Sequence, residues 1–555
     1  MSIKVSYDVA GAMRDGTLLR ADVYRPEGEG PFPVLLRRTP YAKESWAHLA
    51  EALADRGYLV VVQDIRGRHA SDGQWVWAFA AAAQRIEAED GYDSVEWAAA
   101  LPDANGTVGV WGHSYDAWAA WRLAGEQPPS LRGIVAAGIT VGLLDVTRGI
   151  LDLGRRLEWC YLEAADARRR AGRTDGPLTA EDAHTDWVGM ERGKWLWFHP
   201  LADVPEQVFA GITRMLADYY DEIDRELWAF DEIHPRVQVP TCVVTGWWDR
   251  FVRGVDHFTL MREHGPEETR DQHRLVVGPW SHDPDGFGER YDVLGSGPDT
   301  ARSFVDIVTG FFDPLLRGAP ASDAPPASVY TLGLERWQSF ATWPPADTST
   351  ERLHLRAEGG LTWEAPGEEQ PDRYTFDPRD PVMSLMGADA QLAPLDQRGN
   401  DHRPDKLVYQ TGPLLQPVEV AGLVRVVLWA GTDAPDTDWV ARLVRVDEHG
   451  VAVNLAEGIL RARYRHGYGA EVPLTDDSPQ RYLVELSPVS VLFRPGERIR
   501  VDVTSSDFPN FDRNHNTGRA FAHDAELRPA HQAIHHDAEH PSAVLLPVRR
   551  VSPRG

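Results

Sequence analysis

Between residue 30 and about 145 the apolar positions fall into short unbroken runs separated by stretches of helical spacing. Val34-Leu35-Leu36 is followed by a helical pattern from Ser45 to Asp55, ended by Gly57, and then by Leu59-Val60-Val61-Val62. A further helix around Glu87 to Ala100 leads to an apolar strand at Val108 to Trp111, a sharp turn through Gly112-His113-Ser114, another helix, and the run Gly133 to Ala137. Strands that are apolar on both faces and alternate with helices predict a parallel sheet covered on both sides.

From about 146 to 235 the strand signal gives way to Arg-, Glu-, Trp- and Leu-rich sequence of helical period, as in Leu151 to Cys160. Strand signals resume at Val239 to Gly246 and Arg274 to Gly278, so the segment between reads as a helical insertion over the edge of a sheet that is completed afterwards. Beyond about 345 short strands alternate with turns at Arg352–Arg356, Leu423–Trp429, Val440–Val446, Tyr482–Leu486 and Arg498–Val503, which predicts an antiparallel β-sandwich or jelly roll. Trp343-Pro-Pro-Ala-Asp-Thr reads as the linker. The pattern predicts an α/β core formed by 1–145 and 236–345, a cap at 146–235 and a β domain at 346–555. A His-rich stretch, His531 to His540, has irregular spacing and reads as an exposed loop.

A chain of 555 residues is long enough for two or three domains and for a deeply buried site. Its 57 Lys and Arg against 84 Asp and Glu give a net charge of −27, spread along the sequence. That balance speaks against nucleic acid or an anionic membrane as a partner. The two cysteines, Cys160 and Cys242, cannot make a disulfide framework, and no Cys/His set has zinc spacing, so neither metal nor cofactor is expected. Without a signal-peptide pattern or a long apolar run, the chain reads as cytoplasmic, with a small molecule as its partner. Oligomeric state is not readable.

The turn at Gly112-His113-Ser114 carries the chemistry. A serine between a strand and a helix projects its hydroxyl outward, and the first free N–H groups of the helix lie where an oxyanion would form. Serine attacks only with a base beside it, and the base needs a carboxylate to fix its tautomer. In α/β-hydrolases these follow in the order Ser, acid, His, each released at a strand end. Asp249 follows the Val239 strand, and His282 follows Arg274–Gly278 through Gly278-Pro-Trp-Ser-His282. Ser114, Asp249 and His282 are therefore the candidate triad, and position alone separates His282 from the other histidines. His113 is expected to point away from the nucleophile, with His199 in the cap and His515 in the β domain.

Arg38-Thr-Pro-Tyr41, Asp64-Ile-Arg-Gly-Arg-His-Ala-Ser-Asp-Gly73, Glu87 to Trp97, Gly112-His-Ser-Tyr115, Asp249 and Gly278 to His282 together resemble the cocaine-esterase and X-prolyl dipeptidyl-peptidase group of serine α/β-hydrolases. The likeness spans nearly the whole chain; Tyr409 to Leu415 and Ser505 to Asn514 resemble that group's jelly-roll domain. It implies an α/β-hydrolase core split by a helical cap, a C-terminal antiparallel jelly roll, and an oxyanion hole made by the Tyr115 backbone N–H and the Tyr41 hydroxyl. Asp64, Arg66 and Arg68 match as well but read as a salt-bridged supporting loop. The group's pattern usually runs Gly-x-Ser-Tyr-x-Gly, and the last position is Ala117 here.

The resemblance implies a carboxylic ester hydrolase working through an acyl-enzyme. Relatives acting on α-amino acid esters carry acidic residues after the triad aspartate, where Arg250 and Phe251 stand here, and an arginine facing the pocket would repel an ammonium. Phe251, Trp247 and cap tryptophans are the candidates for stacking an aromatic or bulky acyl group. An amidase or X-prolyl dipeptidyl aminopeptidase is the alternative within the same chemistry. A carbohydrate-binding protein with a vestigial hydrolase core is the alternative from another class.

Overall fold

The computed structural model describes residues 3–76, 81–140, 146–147, 150–212, 233–282, 300–321, 323, 325–386, 392–467 and 471–550. The strands of the first half are β1 (Lys4–Ala12), β2 (Leu18–Arg25), β3 (Phe32–Thr39), β4 (Leu59–Asp64), β5 (Ala104–His113) and β6 (Leu131–Ala137), and from β3 on each contains one of the expected apolar runs. A short antiparallel pair, β7 (Val146–Thr147) and β8 (Ile150–Leu151), lies at the start of the expected cap, and β9 (Thr241–Gly246), β10 (Arg274–Gly278), β11 (Ala327–Thr331) and β12 (Arg336–Phe340) follow the cap. The ten-stranded sheet runs β1-β2-β4-β3-β5-β6-β9-β10-β11-β12, parallel from β4 to β11 and antiparallel at both ends. The sequence reading missed β1 and β2, whose pattern mixes polar and apolar residues with little burial along β1.

Helices α1 (Ala47–Asp55), α2 (Ala81–Ala99) and α3 (Tyr115–Gly125) link the central strands, and every residue of α3 is buried. A helix buried all round needs small residues where it meets its neighbours, and the alanines of Tyr115–Gly125 supply them. No helix among the described residues is long and apolar enough to cross a membrane.

The expected cap begins with the β7–β8 pair and is otherwise built mainly of helices joined by turns where it is described. Its main element is α4 (Leu153–Arg170), followed by the helix Ala180–Asp186 and a continuation to Trp195; residues 213–232 of the predicted segment lie outside the described residues. Beyond residue 345 the strands form one eleven-stranded sheet, organised around Val418–Thr432 paired antiparallel with Gln480–Phe493 and with Ala530–His535. The exposed-loop reading of His531 to His540 is corrected here. Residues 530–535 are a strand, and His536 is fully buried because both its ring nitrogens meet carboxylates, Glu369 at 3.0 Å and Asp372 at 3.1 Å.

The cap is tied to the β domain at its entrance. The Leu151 N–H donates to Asp512 Oδ2 at 2.9 Å, the Asp512 N–H returns a bond to the Leu151 carbonyl at 2.8 Å, and the Gly154 N–H reaches the Pro509 carbonyl at 2.7 Å. Arg461 holds Asp512 at 2.5 Å and Asp438 at 2.9 Å in the same buried cluster. His199 of the cap and His515 of the β domain meet at 5.7 Å between ring centres.

Candidate active site

Strand β5 delivers Ser114 at the centre of the sheet, between β3 and β6. Ser114 sits at φ 58° and ψ −123°, a backbone conformation that a residue with a Cβ holds only under strain from its surroundings. The turn is tight because Gly112 lies against the start of α3, where an added Cβ would come within 2.6 Å of the Asp116 carbonyl carbon. From Val108 to Gly125 every residue is buried except Ser114, so the fold exposes the one hydroxyl that needs access to substrate. Ala117, in place of the usual glycine, is accommodated at 0% exposure.

The three residues singled out at strand ends meet. His282 Nε2 lies 3.1 Å from Ser114 Oγ, and His282 Nδ1 lies 2.9 Å from Asp249 Oδ1. Asp249 Oδ1 also accepts the Phe251 N–H at 2.9 Å, a second bond that restrains the carboxylate. Both Asp249 and His282 are buried. The arrangement can move a proton off the hydroxyl while the carboxylate stabilises the imidazolium that results.

Tyr115 and Tyr41 are the two expected oxyanion donors. The Ser114 N–H is consumed by the Ala137 carbonyl at 2.8 Å, whereas Tyr115 opens the helix, where an N–H has no intrahelical acceptor. The Tyr115 side chain turns inward, donating to Glu87 Oε1 at 3.1 Å and packing edge-on against Trp118, so its phenol is committed to the core. Tyr41 lies beyond β3, partly buried, and its phenolic oxygen accepts the Trp159 indole N–H at 3.2 Å. Burial, then the nearby Glu163 and Asp116 charges, push its pKa up to about 12, against the pull of hydrogen bonds with Ser114 and Trp159. Trp159 donates to the phenolic oxygen, and the raised pKa keeps the phenol protonated.

Phe251 stands edge-on to the His282 ring at 5.1 Å, at the site as expected. Trp247 is a correction. Its indole N–H donates to the Tyr330 carbonyl at 2.7 Å and its ring packs 5.8 Å from Trp343, because a buried indole needs an acceptor and β11 provides it. Arg250 is also redirected: it is buried and lies 3.5 Å from Asp152 at the cap entrance, so its charge is met by a carboxylate.

Sequence reasoning set His113 aside, yet its ring packs 4.5 Å from that of His282. Burial, followed by the His282 and Arg37 charges, holds His113 well below the usual imidazole range, so a neutral ring lies against the base. Gly138, at φ +58°, leaves room for the pair; a Cβ there would meet His113 Nε2 at 2.6 Å and His282 Cε1 at 3.1 Å. Asp116 is ion-paired with Arg37 at 2.6 Å beneath the elbow, and Arg37 is itself stacked on Trp46 at 3.3 Å. Arg66 pairs with Asp90 at 2.7 Å, Arg68 pairs with Glu163 of α4, and Asp64 accepts the Lys43 N–H at 2.9 Å. His113, Gly138 and Trp159 carry no local sequence signal for these positions.

Residues 15–284 match the family model of X-Pro dipeptidyl-peptidase (S15 family), and residues 320–545 match that of the X-Pro dipeptidyl-peptidase C-terminal non-catalytic domain. The chain is 31% identical to a cocaine esterase of Rhodococcus sp. (strain MB1 Bresler), over 98% of either chain. Among solved structures it is similar to an aminopeptidase from a marine sediment archaeon, Thaumarchaeota archaeon, with TM-score 0.80 and 25% identity over 99% of this chain and 97% of that one. An α-amino acid ester hydrolase gives TM-score 0.79 and 26% identity over the same shares.

Proposed function

The chain belongs to the X-Pro dipeptidyl-peptidase (S15) family, and from that premise we propose that Ser114, His282 and Asp249 are the nucleophile, base and acid of a serine carboxylic ester hydrolase. The observation that carries the assignment is the continuous hydrogen-bonded line from Ser114 Oγ through His282 to Asp249. As Ser114 Oγ bonds to the ester carbonyl carbon, its proton passes to His282 Nε2 and the carbonyl electron pair moves onto oxygen. The Tyr115 N–H and the Tyr41 O–H hold that oxyanion. Collapse of the intermediate breaks the bond to the alcohol, which leaves with the proton from His282. Water then attacks the acyl-enzyme with His282 again as base, releasing the acid and restoring Ser114.

In this reading 1–145 and 236–345 are the hydrolase core, 146–235 the cap and 346–555 a jelly-roll domain; the inclusion of β11 and β12 in the first sheet supports the boundary near 345. Phe251 and Trp159 are the aromatic groups set to line the acyl side. With Arg250 neutralised by Asp152, electrostatic exclusion of an α-amino acyl group loses its basis, so the acyl preference is decided by rates. The test is a panel of matched p-nitrophenyl or alkyl esters: acetate, butyrate, benzoate, an α-amino acid ester, and an X-Pro anilide. Faster turnover of simple or aromatic esters is the expected result. If only the X-Pro anilide is cleaved, the peptidase alternative replaces it.

Tyr41→Phe keeps the ring and removes the donor. Turnover is expected to fall about 10²–10³-fold, roughly 3–4 kcal/mol, with KM little changed, since the oxyanion exists only on the way to and from the tetrahedral intermediate. A rise in KM alone would make Tyr41 a packing residue.

A further inference from the structure

The turn from strand Ala530–His535 to strand Ala543–Arg549 gathers two imidazoles and a carboxylate in the β domain. His535 Nδ1 lies 3.9 Å from Asp537 Oδ2, and His540 Nδ1 lies 3.4 Å from Asp537 Oδ1, with one ligand atom from each residue within 4.8 Å of the others. Ligands at about 2.0–2.1 Å around one tetrahedral ion stand roughly 3.3 Å apart, so small side-chain rotations close this set.

The turn is held from several sides. His535 is in register with Trp429, whose ring meets His540 edge-on at 5.2 Å. Ser542 Oγ donates to the His535 carbonyl at 2.5 Å and accepts the Trp429 N–H at 2.8 Å, while the Ala538 N–H reaches the Gly367 carbonyl at 2.8 Å. Asp537 Oδ1 accepts the Glu539 and His540 N–H groups at 2.8 and 2.9 Å, which orients the carboxylate between the rings. The neighbouring His536 is committed to Glu369 and Asp372 and takes no part. All three side chains are partly buried yet open on one side, at 18%, 21% and 27% exposure for His535, Asp537 and His540.

We propose that His535, Asp537 and His540 bind a divalent transition-metal ion of the zinc class, with solvent completing its coordination. Two imidazole nitrogens and one carboxylate suit zinc, nickel or copper and not calcium or magnesium, which call for oxygen ligands. The irregular spacing His-x-Asp-x-x-His gave no sign of this because the turn, not a helix or a Cys/His pattern, brings the ligands together.

The full-length protein is titrated with zinc by calorimetry and with cobalt by visible absorbance, against His535→Ala/His540→Ala and Asp537→Asn. Ester turnover in metal-free buffer serves as the measure of folding and is expected to match the parent in both variants. One zinc per chain is expected, with affinity reduced at least ~10-fold in each variant, the scale on which even supporting partners of metal sites are felt. Cobalt is expected to give a visible band that the double variant lacks. Equal isotherms for the parent and the double variant would overturn the proposal, assigning any binding to scattered surface histidines. If the double variant fails to fold, Asp537→Asn decides, because it keeps the acceptor for both turn N–H groups: weakened zinc binding supports the site and unchanged binding overturns it.

Discussion

Ser114→Ala is expected to lower ester turnover on the order of 10⁶-fold, the loss seen when a triad serine is removed, while the fold is retained. The reason for retention is local. Alanine also carries a Cβ, so the φ of 58° at the elbow is no more strained than with serine, and the bonds that hold the turn, the residue 114 N–H to Ala137 and the Trp118 N–H to the residue 114 carbonyl at 3.0 Å, are made by backbone. What is lost is the oxygen 3.1 Å from His282 Nε2. Under the proposed mechanism the remaining rate would report water attacking a carbonyl polarised by Tyr115 and Tyr41. Turnover on a p-nitrophenyl ester, circular dichroism, and mass-spectrometric mapping of a phosphonate label check this together. A label on a different serine would remove Ser114 from the mechanism.

Asp249→Asn is expected to cost about 10⁴-fold in kcat, roughly 5.5 kcal/mol, with KM nearly unchanged. Asp249 Oδ1 now serves two donors at once, the Phe251 N–H and the His282 Nδ1–H, and as a carboxylate it also meets the positive charge that the imidazole gains during attack. An amide of the same shape cannot supply that charge. If its NH₂ faces His282 it imposes the tautomer protonated at Nε2, which cannot accept the serine proton. Steady-state kinetics on the same ester measures the loss; an Asn variant with near-normal kcat would place the acid elsewhere.

The elements that could be read ahead of the structure are those whose signal is local. Leu59–Val62 and Val108–Trp111 are apolar on both faces because helices cover both sides of the sheet, and Ser114, Asp249 and His282 each follow such a run, where a strand ends and the chain is free to turn. Residues placed by long-range packing left no such mark. Trp159 reaches Tyr41 from a helix 118 positions along the chain, and His113 at the end of β5 meets His282 after β10 although β6 and β9 stand between those two strands. Trp247 illustrates the opposite error: adjacency to Asp249 suggested the pocket, but the indole N–H turned to the sheet for an acceptor. His536 was hidden in a histidine-rich stretch whose composition suggested solvent, while its two carboxylate partners lie more than 160 positions away.

The bonds that lace Leu151 and Gly154 to Asp512 and Pro509 bear on how such proteins can be recombined. Exchanging a lid as a cassette presumes that it hangs from two hinges of its own domain. Here the first hinge is fastened to a loop some 360 residues later in the gene. A graft taken from a relative would therefore have to carry the 505–514 loop with it, and an evolving lineage that altered one side would be selected to alter the other.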